Sequence, residues 1–188
     1  MELDMRTQII MVATDLFMSQ GYMATSTRDI ARILDISQPA LYHHFSNKEE
    51  LYSEVLLNFA QEIGDGLTAI LKQNNFSPDS LVEMTLYLKD NHPVNLSLMM
   101  HDMNKELSKK THLKLFNIFR ENYFIPFYSF FKEYEKHFVD GIDASIATRH
   151  FLQMISPYIT ERDSRYDNPL DIPTIVNIFM RGLMRNNT

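Results

Sequence analysis

One stretch near the beginning of the chain decides the fold, 25-TSTRDIARILDISQPALYHHFSNKEEL-51. Its first half carries apolar residues at helical spacing, namely Ile30, Ala31, Ile33 and Leu34. Either Ser26 or Thr27 suits the cap of this helix, and Ser26 with Asp29 fits the S-x-x-D capping pattern. The residues that follow, Asp-Ile-Ser at 35–37, predict a tight turn whose apolar Ile36 is tucked between helices.

A second short helix is predicted from Gln38 to His44, with Leu41 and Phe45 facing inward. Because a proline follows Gln38, the cap of this helix is either Ser37 or Gln38 itself. The next residues, 46-SNKE-49, form an S-x-x-E capping box, so a third helix should begin at once. Two short helices joined by a tight turn are typical of a helix-turn-helix, which can place its second helix in the major groove of DNA.

The segment IARILDISQPALYHHFSNKEEL resembles the N-terminal signature of the TetR family of transcriptional regulators, IA..AGVS.GTLY.HF..K..L. The positions in register are Ile30, Ala31, Ile36, Ser37, Leu41, Tyr42, His44, Phe45, Lys48 and Leu51. The helix-turn-helix alone is a weak signal, whereas the LY-x-HF-x-x-K-x-x-L extension is specific. Two positions depart from the signature. Asp35 stands where the family usually has the glycine of a left-handed turn, and Pro39 stands where a small residue is common.

The composition is that of a helical protein without disulfide or thiolate chemistry. The chain has 188 residues, of which 45% are hydrophobic, and it contains no cysteine. We expect neither a cofactor nor a metal site. No signal peptide and no apolar run of membrane-spanning length is present, so the expected location is the cytoplasm. The net charge of −6, and of −3 within residues 1–50, is unusual for a protein that binds DNA.

Helical periodicity extends over nearly the whole chain and predicts an all-α fold of about nine helices. Domain boundaries are expected at 1–47 for a helix-turn-helix DNA-binding domain and at 48–188 for a helical effector-binding and dimerisation domain. Beyond the motif, the predicted helices are residues 5–19, 47–73, 80–89, 94–106, 108–137 with a kink at Pro126, 144–160 and 172–185. Gly21 is expected to end the first of these, and Ser77 to cap the helix after residue 76.

The second helix of the motif carries the candidate base contacts. Gln38 and His43 are predicted to reach base edges, since glutamine can bridge N6 and N7 of adenine. Ala40 is small enough to meet a thymine methyl group. Pro39, which lies between Gln38 and Ala40, is the remaining residue of this helix that we expect close to the bases.

A second set of residues is predicted to contact phosphates. Tyr42 and His44 lie on the flank of the second helix, and Thr27 and Arg28 at the beginning of the preceding one. Lys48 opposes the dipole of its own helix at a small cost. Together with the N–H groups of that helix, its ammonium forms a seat for a phosphate.

The resemblance implies a C-terminal domain that binds a small apolar or amphipathic effector and pairs with a second copy. A methionine- and aromatic-rich set could line such a pocket, although any one member taken alone is better explained as part of an ordinary core. Its members are Met84, Tyr87, Leu88, Met99, Met103, Phe116, Phe119, Tyr123, Met154 and Tyr158. By the same resemblance the last two helices form a two-fold interface through Ile146, Phe151, Ile155, Ile175, Ile178, Phe179 and Leu183.

The sequence therefore predicts a homodimeric regulator that binds double-stranded operator DNA, most simply a repressor released by its effector. An activator with the same fold stays an alternative, and so does a helical protein-interaction module that does not bind DNA. No phosphate-binding loop, zinc-protease motif or nucleophile elbow is present, so we do not expect an enzyme.

Overall fold

The computed structural model describes residues 3–91, 107–160 and 171–185. These residues form nine α-helices and no strand, so the predicted all-α fold is confirmed. The helices are α1 (Met5–Ala24), α2 (Thr27–Ile33), α3 (Gln38–His44), α4 (Lys48–Gln73), α5 (Pro78–Asn91), α6 (Lys109–Phe119), α7 (Ile125–Tyr134), α8 (Ala144–Thr160) and α9 (Ile172–Leu183). The predicted helix at 94–106 lies outside the described residues.

The chain divides into two compact units. The first comprises the described residues up to Ala60 together with 107–118, and the second comprises 61–91 with the described residues from Phe119 onward. The helix α4 contributes to both units. The predicted boundary between residues 47 and 48 stays a prediction.

In the first unit, α1 packs its apolar stripe against α2 and the beginning of α4. Its core includes Ile9, Ala13, Phe17, Ile30, Leu41, Phe45, Leu51, Tyr52 and Val55, all at most 3% exposed. Gly21 has a φ of 83°, a left-handed conformation that glycine adopts without steric cost, and it breaks α1 where the sequence predicted the end of the helix. Buried leucine, isoleucine and phenylalanine side chains each contribute about 1.5–3 kcal/mol, so this small core holds α2 and α3 in place.

The second unit has a core of phenylalanines from α7, α8 and α9. The ring of Phe151 lies 5.5 Å from that of Phe131 and 5.2 Å from that of Phe179, measured between centroids. Phe127 and Phe138 join the same cluster. These aromatic contacts tie the last two helices to α7 within one protomer.

The long helical segment at 109–137 contains a π-helical turn at Arg120–Phe124, directly before Pro126. The N–H of Ile125 donates to the carbonyl of Arg120, five residues back. Proline interrupts the ordinary hydrogen-bond pattern of an α-helix, because it has no N–H and its ring clashes with the preceding turn. The predicted interruption is therefore present, and the chain accommodates it with one wider, π-helical turn before the proline.

Candidate nucleic-acid interface

The turn between α2 and α3 is built by local hydrogen bonds and one left-handed residue. Ser26 caps α2 by accepting from the N–H of Arg28 at 3.1 Å, and Ser37 caps α3 by accepting from that of Ala40 at 3.2 Å. Asp35 has a φ of 53°, so an aspartate adopts the conformation that the related signature assigns to glycine. The N–H of Ile36 then donates to the carbonyl of Ala31 at 3.0 Å, which closes the end of α2.

The short helix α3 has one buried side and one exposed side. Leu41 and Phe45 are 0% and 1% exposed, as the sequence predicted. Pro39, His43 and His44 are exposed on the other side. Their exposure, on a helix anchored by its buried side, leaves one face of α3 open to a partner.

A polar network joins this face to α2. The side-chain amide of Gln38 donates to the hydroxyl of Thr27 at 3.0 Å and accepts from Nε of Arg28 at 3.4 Å. The hydroxyls of Thr27 and Tyr42 lie 3.1 Å apart and share a hydrogen bond. Thr27 is only 6% exposed, whereas Tyr42 is 40% exposed. The predicted phosphate contact of the Thr27 side chain is therefore not supported, because its hydroxyl is buried and already bonded to two side chains of α3.

The beginning of α4 differs by one residue from the predicted capping box. Asn47, rather than Ser46, is the cap, and its side chain accepts from the N–H of Glu50 at 2.8 Å. The carboxylate of Glu50, rather than that of Glu49, accepts from the N–H and hydroxyl of Ser46 at 2.6 and 2.5 Å. These hydrogen bonds from Ser46 lower the pKa of the Glu50 carboxyl below its ordinary value.

Glu49 serves a different purpose from the one predicted. Its carboxylate accepts from the N–H of Ser108 at 2.6 Å, at the beginning of α6. Burial raises the pKa of Glu49, but the hydrogen bonds from Ser108 outweigh it and leave the pKa lowered. This contact spans 59 residues, so it ties the segment before α6 to the first turn of α4 within the first unit.

Lys48, the first residue of α4, lies with its ammonium 4.2 Å from the centroid of the Tyr22 ring. The Tyr22 ring in turn contacts Phe17 and Tyr52 at centroid distances of 6.1 and 5.0 Å. Tyr22 was not identified from the sequence, because nothing in the local pattern relates residue 22 to residue 48. This cation–π contact holds the ammonium at the beginning of α4.

The predicted dimer interface divides into core and surface residues. Phe151, Ile155, Ile175 and Leu183 are at most 4% exposed within one protomer, so they are core residues and are not available to a partner. The ring of Phe179 also belongs to the aromatic cluster around Phe151. An amphipathic pattern marks apolar residues without telling whether a helix of the same chain or of another covers them. Ile146 and Ile178, which are 39% and 57% exposed, remain candidates for an interface.

The predicted effector-pocket residues are similarly divided. Met84 and Leu88 are buried core residues of α5, whereas Phe116 is 57% exposed. The rings of Phe119 and Tyr123 lie 5.1 Å apart at the π-helical turn. Tyr87, Met154 and Tyr158 are half-buried. Met99 and Met103 lie outside the described residues. The pocket as a whole stays a prediction.

The described residues contain neither a metal site nor a membrane-spanning helix. Within residues 3–91, 107–160 and 171–185, no group of three or more histidine or acidic side chains is arranged to hold a metal ion. In the same residues, no helix combines the length and the apolar character needed to cross a lipid bilayer.

Comparison with known proteins agrees with this architecture. Residues 9–55, which contain α2, α3 and the beginning of α4, match the family model for bacterial regulatory proteins of the tetR family. A crystal structure of a TetR-family protein from Mesorhizobium loti has the same fold, with a TM-score of 0.74 and 21% identity over 96% of both chains. Residues 9–55 thus match the N-terminal segment of bacterial regulatory proteins of the tetR family, and the chain shares the fold of a TetR-family structure.

Curated relatives share the N-terminal segment. The transcriptional repressor KstR2 of Rhodococcus jostii is 40% identical over 58 residues, which are 31% of this chain and 28% of that protein. The transcriptional activator FasR of Mycolicibacterium smegmatis is 36% identical over 67 residues, which are 36% of this chain and 31% of that protein. The chain thus spans less than a third of these relatives in the matched region. Both relatives are described as regulators of transcription.

Proposed function

We propose that the chain is a homodimeric repressor that binds a pseudopalindromic operator and is released by a small effector. The observation that carries this proposal is the exposed face of α3, held on its other side by the buried Leu41 and Phe45. A capped helix of this kind fits the major groove. A regulator of transcription in a bacterium acts in the cytoplasm, where the operator is.

Each protomer would read its half-site through Gln38 and His43, with Pro39 and Ala40 close to the bases. Phosphates would be contacted by Arg28, Tyr42, His44 and Lys48 from the flanks. The partial exposure of the Tyr42 ring, 40%, supports a contact to the DNA backbone while its hydroxyl stays bonded to Thr27.

Dimerisation would use the outward faces of α8 and α9. Ile146 and Ile178 are exposed on these helices, although both are large apolar residues. Two copies joined there would present two α3 helices about 34 Å apart, or a multiple of that distance, on one side of the DNA. The symmetric protein then matches a symmetric operator.

The effector would be an apolar or amphipathic small molecule bound in the second unit. Tyr87, Phe119 and Tyr123, which are half-buried, supply the aromatic surface that such a ligand prefers. Release of DNA requires that the effector bind one arrangement of the two α3 helices more tightly than the other.

Activation of transcription is the second candidate, because FasR, the relative with 36% identity, is described as an activator. The same protein bound to the same operator can either activate or repress transcription. The position of the operator relative to the promoter decides between them.

The decisive experiment selects bound duplexes from a random DNA library at moderate salt and again at higher salt. We expect one inverted-repeat sequence, with an affinity that falls as the salt concentration rises. His43→Ala should lose this sequence, whereas the matched change His112→Ala, at an exposed histidine of α6, should keep it. Native mass spectrometry of the same sample measures the dimer and any ligand carried through purification. A folded, ligand-free dimer that enriches no sequence would refute the proposal.

The effector is sought in a separate screen. Amphipathic compounds are tested for raising the melting temperature, and those that do are tested for releasing the selected operator. A compound that stabilises the protein but leaves DNA binding unchanged is not the effector.

A further inference from the structure

The side chain of Thr27 lies where it can control what Gln38 reads. It is 6% exposed, and its hydroxyl contacts the Gln38 amide at 3.0 Å and the Tyr42 hydroxyl at 3.1 Å. A buried hydroxyl held by two side chains is poorly placed to reach a phosphate. Its partners, by contrast, both lie on the helix that we propose enters the groove.

The hydrogen bonds fix which end of the Gln38 amide points in which direction. Arg28 has only donors, so it can face the carbonyl oxygen of the amide but not its NH2 group. The observed contact from Nε of Arg28 to Oε1 of Gln38, at 3.4 Å, therefore disfavours the flipped amide. The contact from Nε2 to Thr27, at 3.0 Å, holds the other end.

The groups that remain on Gln38 match one base. A glutamine amide has two acceptor sites on its oxygen and two N–H donors on its nitrogen. Arg28 occupies one acceptor site and Thr27 one donor, which leaves one of each. In the major groove adenine offers an acceptor at N7 and a donor at N6, so the remaining pair complements adenine.

We propose that Thr27 is a positioning residue for specificity: it orients the Gln38 amide so that α3 discriminates adenine at one position of each half-site. This inference rests on the proposed DNA-binding function and deepens it. Thr27 acts through Gln38 and contributes no charge. Its loss should change which sequences are preferred and leave the phosphate contacts intact.

The test uses two matched variants of the full chain. Thr27→Val keeps the branched shape of the buried side chain and removes the hydroxyl, whereas Thr27→Ser keeps the hydroxyl. Dissociation constants are measured for the selected operator, for operators changed at single positions in both half-sites, and for an unrelated duplex. Gln38→Ala identifies the position that Gln38 reads, as the one where discrimination disappears.

We expect Thr27→Val to lose about tenfold in discrimination at that same position, since one good bidentate base contact is worth about that or more. Binding of the unrelated duplex should not change, and Thr27→Ser should behave as the wild type. Adding Thr27→Val to Gln38→Ala should have no further effect on discrimination. Wild-type discrimination in Thr27→Val would overturn the inference, and so would an equal weakening of every duplex, which indicates a merely structural role.

A measurement without DNA separates this inference from the proposed function. Relaxation of the side-chain ¹⁵N nucleus of Gln38 reports how firmly its amide is held. We expect greater mobility in Thr27→Val than in the wild type or Thr27→Ser. Equal mobility in all three would overturn the positioning role. Failure of the folded wild type to bind any duplex would instead overturn the proposed function.

Discussion

Replacing Lys48 by glutamine should make operator binding less sensitive to salt. The ammonium lies 4.2 Å from the centroid of the Tyr22 ring, at the first residue of α4. A cation–π contact leaves the charge of a cation intact, and we expect this ammonium to bind a phosphate in the complex with DNA. The N–H groups in the first turn of the helix favour an anion at the same place.

The size of the effect follows from counterion release. Each phosphate neutralised on duplex DNA contributes about 0.9 to the slope of the logarithm of the binding constant against the logarithm of the salt concentration. A dimer has two copies of Lys48, so the variant should have a slope smaller by about 1.8. Over a roughly fourfold rise in salt concentration, the ratio of the wild-type binding constant to that of the variant should therefore fall by about twelvefold.

Fluorescence anisotropy of a labelled operator, titrated at several salt concentrations, measures this slope. Arg6→Gln is the control, because it removes the same charge from the same unit. The guanidinium of Arg6 is already paired with the Glu54 carboxylate at 2.9 Å, so its loss should leave the slope unchanged. If Lys48→Gln and the wild type gave parallel lines, the ammonium would serve only to pack on the Tyr22 ring, and the phosphate seat would be refuted.

Three further predictions concern stability and assembly. Gly66→Ala should cost about 1–3 kcal/mol in chemical denaturation, because the added Cβ would overlap with the ring of Tyr87. The cost should shrink when Tyr87→Ala is added, and a cost that persists would contradict the overlap. Glu50→Gln should reduce the acid sensitivity of the melting temperature. Hydrogen bonds from Ser46 hold the pKa of the Glu50 carboxyl below its ordinary value, so its stabilisation is complete above that ordinary value and is lost as the pH falls through the lowered pKa. Equal losses of melting temperature between about pH 7 and pH 3.5 in the variant and the wild type would argue against this role. Ile178→Glu should give a folded monomer in sedimentation experiments where the unchanged chain gives the proposed dimer, since this 57% exposed side chain lies on the proposed interface. A variant that still forms a dimer would place the interface elsewhere.

The sequence was most informative where structure is determined locally. The left-handed Asp35 and the buried positions of α3 depend on residues close in sequence, and both agree with the sequence analysis. The structure also decides between the two caps that the sequence left open, in favour of Ser37. The cap of α4 was misplaced by one residue, because SNKEE fits two overlapping capping boxes. A contact to Ser108, 59 residues away, engages Glu49 and leaves the capping role to its neighbour Glu50.

Surfaces were harder to assign than helices. The helices α8 and α9 have apolar residues on more than one side, and periodicity cannot tell which side faces the core of the same chain. The aromatic cluster around Phe151 settles this for the inner side, because rings from α7 and α9 cover it. The outer side is marked only by exposed residues such as Ile146 and Ile178. The predicted pocket is harder still to assign, because a methionine suits a core and a ligand site equally well.

The acidic character of the chain bears on how it would recognise DNA. Residues 1–50 carry a net charge of −3, so long-range attraction to DNA is weak and nonspecific affinity should be modest. Of the four cations there, Arg6 and Arg32 lie against carboxylates, whereas Arg28 contacts an amide and Lys48 an aromatic ring. Arg28 and Lys48 flank the exposed face of α3 in sequence. Few phosphate contacts leave more of the total affinity to the bases, and discrimination among sequences then depends on how firmly the side chains of α3 are oriented before DNA arrives.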